Sequence, residues 1–289
     1  MNKEHRTQYE RLFAYVQNIV RTRGLSEYID NYGTFREKEI KEGDYRYVLQ
    51  QYIDTYHKHS FYEWHDAPKH DVKKPIITYD ETTNILTIVA FSMFRKPDEN
   101  FLKIFVEEHL DVINNKCNGI ILDIAKHHGG GPSPILNGLY PIIGDVTLYG
   151  MIGKNPKTTK VETVWWNLKN GKTKSSFTQL LPLQKDLLWQ KPLIIIASNK
   201  TASAGEHLGL AFQHRKNCTV IGTTPTTKGL LTHNIPFKIG KNDGDLILTS
   251  FKMINCKNEI VQDETLHMDI VCDDVYTKAR ELILFHNLH

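Results

Sequence analysis

Apolar residues recur at helical spacing over residues 7–23, where Tyr9, Leu12, Phe13, Val16, Ile19 and Val20 share one face up to Gly24. A second helical pattern covers about 37–57 through Ile40, Val48, Leu49, Tyr52 and Ile53. These two stretches predict a helical cap over residues 1–70. Trp64–Pro75 is polar, carries His65, Pro68 and His70, and predicts a linker. Beyond it the pattern changes to short apolar runs alternating with helical stretches. Strands are expected near 76–80, 85–91 and 119–124, with helices near 98–114 and 133–142. Val161–Trp166 and Ser175–Thr178 flank Asn170-Gly171, a hairpin turn signal. Leu193–Ser198 has the length and β-branching of a fully buried strand, and helical spacing resumes over 204–215. Strands near 219–222, 233–237 and 246–251 and a closing helix at 274–286 complete the pattern. Such alternation predicts a layered α/β core over residues 71–289.

Composition narrows the class. The chain has 289 residues, 40% of them hydrophobic and 24% charged, enough to bury a large core. Thirty-six basic residues stand against 33 acidic ones, a net charge of +3, too even a balance for a nucleic-acid or anionic-membrane partner. The polar start lacks the apolar region of a secretory signal, and no stretch is long and apolar enough to span a bilayer. A cytoplasmic location is therefore expected. Cys117, Cys218, Cys256 and Cys272 form no CxxC pair, which predicts free thiols rather than a zinc site or a disulfide framework.

Three loops carry the candidate chemistry. Ser203 lies in Asn199–His207, where the buried strand gives way to a helix, a position in which a hydroxyl faces free backbone N–H groups and the positive helix end. Ser203-Ala-Gly-Glu206 also fits a capping box, in which the serine caps the helix and the glutamate reaches back. Asp123–Gly131 follows another buried strand and ends in three glycines, fit for an anion or oxyanion loop or for a tight turn. Gly222–Gly229 follows a third strand and contains Lys228, 25 residues beyond Ser203 (228 − 203). A lysine deprotonates a serine when burial lowers its pKa, a role closed to arginine.

Other chemistries fit less well. GxGxxG is absent, and Gly171-Lys-Thr173 lacks the earlier glycine of a phosphate loop because Trp166 occupies that place. His57, His59, His65 and His70 match no closed zinc spacing, so no metal or cofactor is implied. Thr201-Ala-Ser-Ala-Gly205 half fits the Gly-x-Ser-x-Gly elbow, which keeps open a serine hydrolase using His127, His128, His207 or His233 as base.

Four segments together resemble the tail-specific, or carboxyl-terminal processing, serine peptidases. Asp123-Ile-Ala-Lys-His-His-Gly-Gly130 is similar to the family's Asp-Leu-Arg-Asn-x-Pro-Gly-Gly loop, and Thr201-Ala-Ser-Ala-Gly-Glu206 to its nucleophile segment. Gly222–Gly229 is similar to its lysine segment, and His267-Met-Asp-Ile-Val271 to its closing pattern. The resemblance implies a crotonase-like core, Ser203 as nucleophile and Lys228 as general base. It further implies an oxyanion hole from the backbone of Ala204 with Gly129 or Gly130, support from Glu206, and a peptide or unfolded protein as substrate, in an enzyme that can be oligomeric. The family's arginine, its proline and the glycine before its lysine are replaced by Ala125, His128 and Thr227, and Thr232 stands where a third catalytic residue is often Gln. The stretch before the first core strand is too short for the family's PDZ domain. A peptide-binding homologue without turnover is the rival from another class.

Overall fold

The computed structural model describes residues 11, 14–16, 18, 50, 53, 60–64, 74–92, 106–154, 160–183, 186–227, 233–239, 242–261 and 265–286. The chain divides into two compact units. The first gathers Met1–Lys69, Gly153–Glu162 and Leu231–Lys252. Its described positions Arg11, Ala14–Val16, Asn18, Gln50 and Ile53 are helical, with Val16 and Ile53 buried. Strands, numbered along the chain, add an antiparallel sheet of order β1 (Phe61–Trp64), β11 (Asn242–Leu248), β10 (His233–Ile239). Phe61 pairs with Ile247, and His233 with Leu248. The Thr249 N–H donates to Ser60 Oγ at 3.0 Å and closes the sheet end.

The second unit gathers His70–Ile152, Thr163–Leu230 and Met253–His289. Its six-stranded sheet runs β2 (Ile76–Asp80), β3 (Ile85–Val89), β4 (Gly119–Asp123), β8 (Leu193–Ala197), β9 (Cys218–Gly222), β13 (Ile270–Val271). β2 is antiparallel to β3 and all later neighbours are parallel. Every residue of β4 and β8 is buried, as a parallel sheet covered on both faces requires. The layered α/β core expected from the alternation is therefore present.

The expected helix at 133–142 is two short ones, α1 (Ser133–Gly138) and α2 (Tyr140–Ile143), separated at Leu139 beside Gly138 and Pro141. α3 (Ala204–Phe212) is buried along its whole length. α4 (Val275–His286) inserts Ala279 and Ile283 against Ile85, Ile121, Ile194, Ile196 and Ile221 of the sheet. A further sheet has the order β12 (Phe251–Ile254), β5 (Val146–Lys154), β6 (Val161–Lys169), β7 (Lys172–Ser176). Its β6–β7 hairpin turns at Asn170 and Gly171, both at positive φ (50° and 72°), as the Asn-Gly signal predicts.

In the six-stranded sheet, strand order rises along the chain without reversal, so β3, β4, β8 and β9 end side by side. Val89 pairs with Asp123, Asp123 with Ile196, and Ala197 with Gly222. The three candidate loops therefore start from adjacent positions on one sheet edge.

Candidate active site

Ser203 closes the turn after β8 with φ 50° and ψ −116°, a conformation that a residue bearing a Cβ avoids and that characterises strained strand-to-helix elbows. Its backbone carbonyl accepts the Glu206 and His207 N–H groups at 2.9 and 3.0 Å, but its side chain makes no cap hydrogen bond to the helix. The serine half of the expected capping box is therefore not formed. The positive φ swings the residue out of the geometry in which Oγ meets the first-turn amides.

Rigid neighbours hold this turn in place. Thr201 Oγ1 donates to the Ile124 carbonyl at 3.0 Å and accepts from the Ser198 N–H at 3.0 Å. Ser198 Oγ donates to the Ala125 carbonyl at 2.7 Å, and the Ala202 N–H to the His127 carbonyl at 3.0 Å. Gly205 makes this approach feasible, since a Cβ there would lie 2.5 Å from the His127 carbonyl oxygen.

The facing loop begins at Asp123, whose carboxylate accepts the Ala125 N–H at 2.8 Å and the Tyr276 hydroxyl. Further on, Gly129 and Gly130 take φ 135° and 102°, which only glycine adopts without strain. Ala204, as the first residue of α3, has no intrahelical acceptor for its N–H. The two loops are thus stitched together, with the glycine pair on one and the Ser203-Ala204 turn on the other.

The third loop is described as far as Thr227; Lys228, Gly229 and Thr232 lie outside the described residues. Thr227 is buried, its hydroxyl donates to the buried Glu206 carboxylate, and it exchanges hydrogen bonds with Leu266 (N–H to carbonyl 3.1 Å, Leu266 N–H to Oγ1 2.9 Å). Glu206, on the helix that Ser203 opens, therefore holds the residue directly before Lys228.

The histidines divide sharply. His127 and His207 are buried, neither ring has a hydrogen-bond partner among the described residues, and burial pushes both imidazoles down to about 4. Tyr149, also with an unpartnered hydroxyl, lies against the His207 ring at 5.3 Å between centroids. Groups so reluctant to take a proton are poor general bases. His128 is exposed and bonded to Ser92 and to Lys200. The side chain of His233 lies outside the described residues, as do His57, His59, His65 and His70. Among the described residues no group of three or more His, Cys, Asp or Glu side chains could hold a metal ion. No described helix is long and apolar enough to cross a membrane.

The structure adds contacts that spacing did not signal. Tyr276 reaches Asp123 across 153 positions, and a tyrosine on an amphipathic terminal helix carries no mark of such a partner. Ser92 was equally silent.

The family model described as "Peptidase family S41" matches residues 85–272, more than half of the chain. A nisin-resistance protein of Lactococcus lactis subsp. lactis is 29% identical over 230 residues, covering 78% of this chain and 69% of that protein. A lipoprotein from Streptococcus agalactiae shares the fold with a TM-score of 0.68 at 20% identity, over 96% of each chain. A protein from Parabacteroides merdae does so with a TM-score of 0.59 at 13% identity, over 96% of this chain and 94% of its own.

Proposed function

Because this chain belongs to peptidase family S41, we propose that it is a serine endopeptidase acting through an acyl-enzyme on Ser203, with Lys228 as general base. In this reading the neutral Lys228 amine takes the Ser203 proton as Oγ attacks the scissile carbonyl carbon. The Ala204 N–H and the N–H of Gly129 or Gly130 hold the oxyanion. Collapse breaks the C–N bond, and the departing amine receives the proton from the Lys228 ammonium. Water then loses a proton to Lys228, attacks the ester and releases the acid, while Ser203 Oγ regains the proton. Glu206 positions Lys228 through Thr227, and Thr232 is the candidate third group.

The observation that carries this reading is the Ser203 turn. A serine held at φ 50° and ψ −116° at the mouth of a helix is costly unless the turn has a task. The substrate is a peptide or the carboxyl-terminal region of a protein. Nisin belongs in the substrate panel because a relative is named for resistance to it. Mass spectrometry of a peptide library with nisin added, incubated with wild type and Ser203→Ala, tests the reading. Cleavage products confined to wild type are expected. Binding without cleavage by either protein would instead make the chain a peptide-binding homologue.

A further inference from the structure

His128 has no part in the mechanism above. Its backbone N–H donates to Ser92 Oγ at 2.7 Å, and its ring Nδ1 lies 2.9 Å from the Lys200 carbonyl oxygen. A carbonyl oxygen only accepts, so Nδ1 holds the hydrogen, and in the neutral ring Nε2 is then an acceptor. The residue is exposed, directly precedes Gly129, and touches the nucleophile segment three residues before Ser203. It bridges the two loops between which a scissile carbonyl has to lie. Its neighbour His127 is the opposite, a buried ring that meets substrate only by leaving the core.

Resting on the peptidase reading, we propose that His128 Nε2 accepts a hydrogen bond from a backbone N–H of the bound polypeptide and holds the chain against the glycine loop. The contact reads main chain, a donor that every residue except proline supplies. Binding is therefore tolerant of side chains and excludes proline at the contacted position. His128 is a substrate-binding residue, and the tether to Lys200 fixes the tautomer that makes it an acceptor.

Substitutions separate the two ring nitrogens. Asn at position 128 keeps a donor for the Lys200 carbonyl and has nothing at the Nε2 place, whereas Gln puts an amide oxygen near it. Fluorescein-labelled denatured casein is the probe, its Kd read by anisotropy in the Ser203→Ala background and its KM and kcat read with Ser203 intact. His128→Asn should weaken binding and raise KM about tenfold, the size of one hydrogen bond, with an unchanged Tm. His128→Gln should recover most of the loss. Casein binding by His128→Asn equal to that of the parent, or a loss in both variants that follows a fall in Tm, overturns the proposal. So does a Ser203→Ala protein that does not bind casein at all. If casein binds in a His128-dependent way while Ser203 takes no covalent label, the peptidase reading falls and the contact stands.

Discussion

The turn after β8 and the loop after β9 leave the same sheet edge from adjacent strands, yet they are held differently. The first is fixed on backbone carbonyls: the Thr201 and Ser198 hydroxyls and the Ala202 N–H all donate to carbonyls of the Ile124–His127 segment. The second is tied to the segment at Leu266–Met268 and, through the hydroxyl of Thr227, to Glu206 on α3. The place of Ser203 is thus set by the loop that follows β4. Among the described residues, one side-chain pair links the loop that leads to Lys228 to the helix of Ser203. Such an arrangement breaks at the first loop by distortion, whereas the second loop's link to α3 breaks by loss of a single hydrogen bond.

Gly205→Ala attacks the rigid side. The new Cβ would meet the His127 carbonyl oxygen at 2.5 Å, so the loops must part. A displacement near 1 Å should lower kcat/KM by about 100-fold, and overpacking should lower unfolding stability by about 1–3 kcal/mol. Steady-state kinetics with chemical denaturation measures both, and activity within a factor of two of wild type would show that the close approach is not required.

Thr227→Val attacks the weaker link. It removes the hydroxyl that donates to the Glu206 carboxylate and accepts the Leu266 N–H, so kcat should fall about tenfold, with a stability loss of about 1–3 kcal/mol. Thr227→Ser should restore most of the activity, and failure to do so would assign the residue to packing alone.

Acid acts on the rigid side through His127 and His207. Both titrate in the folded protein near 4, against an ordinary value of 6.5. The unfolded chain therefore binds protons that the native one refuses, and stability falls as pH drops from about 6.5 toward 4. The loss between near pH 7 and near pH 5 should be about 2 kcal/mol per histidine. His207→Phe, which keeps a ring against Tyr149, should lose less than wild type over the same range. Equal losses in urea melts would show that His207 is solvated.

Tyr276→Phe is the mildest change. Removing the hydroxyl that Asp123 accepts should cost about 1–2 kcal/mol and lower kcat only a few-fold, because Asp123 keeps the Ala125 N–H.

What was legible in the sequence follows the same contrast. β4 and β8 are short, wholly buried and largely apolar runs with Ile at their centres, bounded by turn signals, and such runs report their own state. β5 escaped because Gly150 interrupts its pattern, a glycine required where the Trp165 ring packs, at 2.7 Å from the place of a Cβ. β11 begins with Asn242-Asp243-Gly244-Asp245, which reads as a turn until pairing with β1 and β10 on both sides makes it a strand. The expected strand at 246–251 is accordingly the end of β11 and the start of β12. At the site, residue types and spacing pointed to Ser203 and the glycines. The serine's φ, the Glu206–Thr227 pair and the unpartnered state of His127 arise from tertiary packing and leave no periodic trace.

The central claim is that the strained Ser203 is a nucleophile rather than a cap. Intact-protein and peptide mass spectrometry after treatment with a fluorophosphonate tests it most directly. A single adduct on Ser203 in wild type, absent in Ser203→Ala and in Lys228→Ala, is the predicted result. An unlabelled wild type would contradict the claim, and labelling that survives Lys228→Ala but is lost in His127→Ala would move the general base to a histidine.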